Sequence, residues 1–127
     1  MARKRFVIEL GYGADLHGAD MTKAATKAVK DAVSRSCLCG LVEIHNRGDF
    51  RGVHVAIEVA VPEPDKVDLA AIEKVVPVGT VSARAVAGGL RTPGICVECF
   101  GPESSDIVAA VAALTVYVDD GLPGASQ

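Results

Sequence analysis

The sequence predicts an α+β domain: a ferredoxin-like split β-α-β order extended by a further strand and helix, with a mainly antiparallel sheet and helices on one face. Three observations lead there. Segments alternating apolar and polar residues, clearest in Val53–Val61, are interleaved with segments whose apolar residues recur every three or four positions, clearest in Met21–Ser36. Apolar residues make up 50% of the chain but aromatic ones only 4%, so the core is built from Val, Ala, Ile and Leu, which suit close packing of helix on sheet. At 127 residues the chain is also long enough to form one core without disulfide or metal staples.

The elements follow in order. Arg5–Leu10 alternates as a half-buried strand, with Phe6, Ile8 and Leu10 toward the core and Val7 and Glu9 away from it. A glycine-rich loop, Gly11–Asp20, leads to Asp20, a good N-cap, and to a helix that buries Met21, Ala24, Ala25, Ala28, Val29, Ala32 and Val33. Gly40–Asn46 and Val53–Val61 flank a glycine-bounded turn and read as a hairpin. Asp65 or Asp68 caps a short helix with Leu69, Ile72, Val75 and Val76 inward, which Pro77 stops. Thr80–Val86 and Ile95–Phe100 read as strands joined by the flexible turn Gly88–Gly94.

Ser104 or Ser105 then caps a last helix, Asp106–Val118, that is apolar nearly all round. Such an element is buried on more than one side, and in a small domain the second surface is most simply another subunit, which predicts a homo-oligomer. Residues 1–118 are expected to form the single domain and 119–127 a flexible tail. The uncovered sheet face is expected to carry Glu9, Glu43, His45, His54, Glu58 and Arg84.

Charge and hydropathy narrow the partners. The net charge is −3 and the one basic run, Arg3-Lys4-Arg5, is short, so no nucleic-acid partner is expected. Glu9 interrupts the first apolar run too early for a signal peptide. The longest uncharged run, Ile107–Val118, falls short of the roughly 20 residues of a membrane span. A cytoplasmic protein with no membrane partner and reduced, buried thiols is therefore expected. Cys37-x-Cys39 lacks the two-to-four-residue gap of a structural zinc site, and in an extended Ile95–Phe100 the side chains of Cys96 and Cys99 point to opposite faces, so no zinc is expected.

The chemistry centres on Gly11-Tyr12-Gly13-Ala14-Asp15-Leu16-His17-Gly18. Leu16 stands where a dinucleotide fingerprint needs its third glycine, and the carboxylates of Asp15 and Asp20 repel a bare phosphate. Gly11, Gly13 and Gly18 let a ligand approach the backbone, while Asp15 and His17 supply charge and proton exchange near neutral pH. Arg91, in the Gly88–Gly94 turn, is a candidate clamp for a substrate carboxylate. If the hairpin register brings His45 and His54 together, Asp15, His17, His45 and His54 become candidate ligands of a divalent metal.

The eight-residue stretch resembles the G-x-G-x-D-x-H-G hallmark of a small conserved family of uncharacterised bacterial proteins, also found with an N-terminal extension in plants. The resemblance implies that Gly11, Gly13, Asp15, His17 and Gly18 are the family's functional or structural signature, and it brings no activity with it. The element order also looks like that of the small trimeric proteins of chorismate-mutase-like or imine-deaminase-like architecture, whose sites lie between subunits.

The expectation is thus a cytoplasmic homo-oligomer that binds a small polar metabolite around Gly11–Asp20. Acid–base or metal-assisted hydrolysis or isomerisation, with His17 exchanging a proton that Asp15 orients, is one form of it. The other is a non-catalytic metal- or ligand-binding protein in which Asp15 and His17 lock the strand-to-helix turn.

Overall fold

The computed structural model describes residues 3–119. It contains five strands, β1 (Arg3–Asp15), β2 (Val53–Val61), β3 (Thr80–Ala87), β4 (Leu90–Pro93) and β5 (Asp106–Asp119), with helices α1 (Met21–Val33), α2 (Cys39–Glu43) and α3 (Leu69–Glu73). The class is the expected one, α+β with a mainly antiparallel sheet. Strand order is β1-β5-β2-β3, and β4 pairs with the start of β5 beyond the end of β2. The β2–β3 pair is parallel, as the α3 crossover requires.

Several elements were legible to the residue. In β2, Val53, Val55, Ile57, Val59 and Val61 are all buried, and His54, Ala56, Glu58 and Ala60 turn to the other face. Asp20 caps α1, its Oδ1 accepting the Lys23 N–H at 3.1 Å, and Asp68 caps α3 in the same way through the Ala71 N–H. Arg3-Lys4-Arg5 is an exposed strand entrance.

Four readings are corrected. The segment expected as the last helix is β5, the central strand, held by β1 on one side and by β2 and β4 on the other. Gly40–Asn46 is not a strand: Cys39–Glu43 forms α2, so the expected hairpin with β2 does not exist. Ile95–Phe100 is likewise no strand, and Leu90–Pro93 pairs with β5 instead. The strand-helix order therefore departs from the ferredoxin-like split, while the layering of helices over one face holds.

The fourth correction is the phase of β1. A register shift between Arg5 and Val7 leaves Phe6 as the extra residue of a bulge. Beyond it Val7, Glu9, Gly11, Gly13 and Asp15 face the helices, and Ile8, Leu10 and Tyr12 face away and are exposed. Glu9 is thus on the helix side, and Glu43 and His45 belong to α2 and the turn after it. The part of 119–127 beyond Asp119 lies outside the described residues; Asp119 itself ends β5.

The core fills the gap between α1, α3 and the sheet. Gly11 pairs with Ala112 and Gly13 with Ala110, and both alanines are buried beneath the alanine face of α1. A Cβ on Gly11 would lie 2.1 Å from the Ala28 carbonyl oxygen, and one on Gly13 2.4 Å from the Ala28 nitrogen. The two glycines are therefore what lets α1 lie directly on β1, so the expectation that they open the backbone to a ligand gives way to close packing.

The opposite sheet face has no helix over it among the described residues. Ile8, Leu10 and Tyr12 of β1, Val111 of β5 and Leu90 of β4 give it an exposed apolar half. Across β2 and β3 it becomes polar, with an ion pair between Glu58 and Arg84.

Candidate functional site

After β1 the chain must reverse to begin α1, and the reversal is built from residues 15–20. Gly18 and Ala19 both take left-handed backbone conformations, with φ of 104° and 49°. The Gly18 N–H donates to the Ser104 carbonyl at 2.7 Å, tying the turn to the segment before β5. Asp15 is 3% exposed, and its Oδ2 accepts the Asp20 N–H at 2.9 Å. Its Oδ1 lies 3.9 Å from Lys23 Nζ. Asp15 thus fastens the start of α1 to the end of β1, since a buried carboxylate needs both a donor and a compensating charge.

His17 points elsewhere. Its Nε2 is 3.7 Å from Glu103 Oε2, and the side chain lines a cleft of about 400 Å³ with Leu16, Gly94, Ile95 and Ile107. Ile107 is the partner of Thr92 in the β4–β5 register, so the cleft opens at the end of the uncovered sheet face. A histidine beside a carboxylate, in an otherwise apolar cleft, can exchange a proton with a bound group or hold it by a hydrogen bond.

The other candidates are placed apart. Arg91 Nε donates to Asp106 Oδ2 at 2.9 Å, and Nη1 lies 3.4 Å from Glu63 Oε2. The hydrogen bond to Asp106 raises the guanidinium's pKa above its ordinary value, so Arg91 is a strand-end clamp rather than an open carboxylate receptor. His45 packs edge-on against Phe6, with ring centroids 5.8 Å apart. His54 Nε2 is 3.0 Å from Asp119 Oδ2. With no hairpin to join them, His45 and His54 serve separate contacts. Among the described residues no group of three or more His, Cys, Asp or Glu converges to hold a metal ion. All four cysteines are free and exposed, which corrects the expectation of buried thiols.

The His54–Asp119 pair has a consequence in acid. The hydrogen bond from His54 is the main cause holding the Asp119 carboxyl below its ordinary 3.8, helped by Arg3. A carboxyl depressed in the folded state adds stability above its unfolded value and loses it as pH falls through the folded one. In His54→Ala the Asp119 carboxyl is expected to titrate closer to 3.8 in a carbon-13 NMR titration. An unchanged midpoint would show that the pair does not form.

Nothing in the sequence marks Glu103 or Ser104 as a partner of the Asp15–Gly18 turn. They lie far along the chain from His17, in a loop with no periodic pattern, and only the capping character of Ser104 was visible. Here the Ser104 hydroxyl accepts the Asp106 N–H at 3.2 Å, which starts a strand rather than a helix.

Known proteins place the chain in a family without giving it an activity. The crystal structure of an FtsZ-like protein of unknown function from Nostoc punctiforme matches with a TM-score of 0.85 at 32% identity, covering 94% of this chain and 99% of that one. Two structures of M. jannaschii FtsZ, an empty dimer and a mutant, match at 20% and 18% identity over 85% of this chain, with TM-scores of 0.34 and 0.35. This chain spans only 26% and 27% of those two. No curated protein matches the chain in sequence. The family described as "Conserved hypothetical protein (Lin0512_fam)" matches residues 5–116, nearly the whole described fold, and the chain belongs to it.

Proposed function

We propose that this protein is a cytoplasmic homo-oligomer that binds a small polar metabolite in the His17 cleft and acts on it by acid–base chemistry. One observation carries the reading: His17, paired with Glu103, lines a cleft of about 400 Å³ at the rim of an uncovered apolar sheet face. In this reading His17 exchanges the proton, Glu103 orients the imidazole, and Leu16, Ile95 and Ile107 receive a short apolar part of the ligand. Hydrolysis or isomerisation of an amide-like or imine-like compound suits one proton-exchanging group in a largely apolar cleft. The apolar residues of the open face supply the subunit contact, which closes the cleft from outside.

Asp15 has a different place in this reading from the one expected. Its carboxylate is committed to the Asp20 N–H, so it supports the site by fixing the turn. That commitment also favours a second reading, binding without catalysis, because Asp15 is then held away from the proton-exchanging role beside His17.

Native mass spectrometry of the wild type beside His17→Asn tests the proposal. The wild type is expected to be an oligomer retaining a small molecule, and His17→Asn to keep the assembly and its Tm while losing the molecule. A Tm fall in His17→Asn as large as that in Asp15→Asn, about 1–3 kcal/mol of lost stability, would make His17 a turn residue instead. Return of the ligand unchanged after incubation with the wild type would select binding over catalysis.

A further inference from the structure

The helix side of the sheet is not fully covered. α1 ends at Val33, while α2 and α3 are only five residues each, and between them the inner sheet face opens into a second cleft of about 290 Å³. Its floor is Val55, Leu114 and Val116, and its walls include Val33, Val42 and Val76. This cleft lies on the other side of the sheet from the exposed apolar face.

One charged side chain lines it. Glu9, brought to the helix side by the bulge at Phe6, sits opposite Leu114 in the β1–β5 register and is half-buried. No Lys or Arg is among the lining residues, which are otherwise aliphatic apart from Phe50, Ser36, Cys37, Cys39 and Pro77. An ammonium group with an aliphatic body pairs with the Glu9 carboxylate at the edge of the cleft while its alkyl part fills the cleft. A carboxylate ligand is repelled, and a neutral alkyl ligand gains burial alone.

The geometry points to a second ligand site, distinct from the His17 cleft, that takes a small aliphatic amine with its ammonium on Glu9 and its alkyl chain over Val55, Leu114 and Val116. The cleft is near the lower end of the volumes that hold small ligands, about 300 Å³, which limits the guest to a short chain or a single ring. Cys37 and Cys39, exposed at the rim, report on its occupancy.

The test is an NMR titration of the full chain with n-hexylammonium, n-hexanol and hexanoate, followed on the methyl signals of Val55, Leu114 and Val116. Hexylammonium is expected to bind about tenfold more tightly than hexanoate. It should also slow alkylation of Cys37 and Cys39 by iodoacetamide. Glu9→Gln is expected to bring hexylammonium down to the affinity of hexanol without lowering Tm. Equal binding of the three probes by the wild type would overturn the proposal, as would an undiminished preference for the amine in Glu9→Gln. Absence of methyl shifts with the amine would overturn it too, showing the cleft to be closed to small molecules. The ranking of the three probes by the wild type decides the matter even if Glu9→Gln fails to fold.

Discussion

Gly11→Ala is expected to destabilise the fold by about 3 kcal/mol or more, toward or beyond the top of the usual range for overpacking. The added methyl would lie 2.1 Å from the Ala28 carbonyl oxygen and 2.5 Å from the Ala32 nitrogen. Both are backbone atoms of a hydrogen-bonded helix, so no side-chain rotation relieves the contact and α1 has to lift from the sheet. Lifting it also loosens Ala110 and Ala112, which sit under the same helix. For a domain of this size the change corresponds to a Tm fall on the order of 10 °C, readable by circular dichroism and by the urea midpoint. Gly48→Ala is the control: a Cβ there meets nothing within 4 Å, and its effect is expected to stay within about 0.5 kcal/mol. A Gly11→Ala protein as stable as wild type would refute the close seating of α1.

That contact explains why part of the fold was legible and part was not. β2 and α1 were readable because their apolar residues keep one period throughout and because Asp20 and Pro62 mark clear ends. The strand pattern of β1 breaks off at Leu10 because Gly11 and Gly13 look like loop residues, although each occupies a core-facing strand position under α1. β5 reads as a helix in the sequence because Ala109, Ala110, Ala112 and Ala113 satisfy a helical pattern as well as an alternating one. Alanine's high helix propensity was overridden by tertiary context, since a central strand beneath a close helix has room only for small side chains. Its second half, Thr115-Val116-Tyr117-Val118, carried the strand signal in β-branched and aromatic residues. The inverted phase of β1 came from a one-residue bulge, which leaves no mark in composition but exchanges the faces of every residue after it.

The candidate site divides along the same line. Of the five fixed motif residues, Gly11 and Gly13 seat the helix, Asp15 and Gly18 hold the turn, and His17 faces a cleft, beside Leu16. A short motif therefore mixes packing, turn geometry and chemistry, and residue types do not separate them. His17's carboxylate neighbour, Glu103, comes from the loop before β5, and the strand pairing of β1 with β5, with the Gly18–Ser104 hydrogen bond, brings the two ends together.

Val111→Lys is expected to turn the proposed homo-oligomer into single chains of 13.1 kDa with unchanged secondary structure. Val111 lies on the central strand, on the outer face, between Tyr12 of β1 and Ala60 of β2 in the register. In an isolated subunit a lysine there extends into water and costs little. In an assembly closed over Ile8, Leu10, Tyr12 and Leu90, the same ammonium is buried far from the Glu58–Arg84 pair and leaves a charge unpaired, a penalty of several kcal/mol for each copy at the interface. Sedimentation equilibrium reads the mass directly. A wild type that sediments as one chain at tens of micromolar would remove the assembly itself, and a Val111→Lys protein with wild-type mass would move the interface away from this face. The variant also separates the two parts of the proposed function. Retention of the small molecule by monomeric Val111→Lys would show the His17 cleft to be complete within one subunit, whereas its loss, with His17 and Glu103 intact, would mean that the neighbouring copy closes the site.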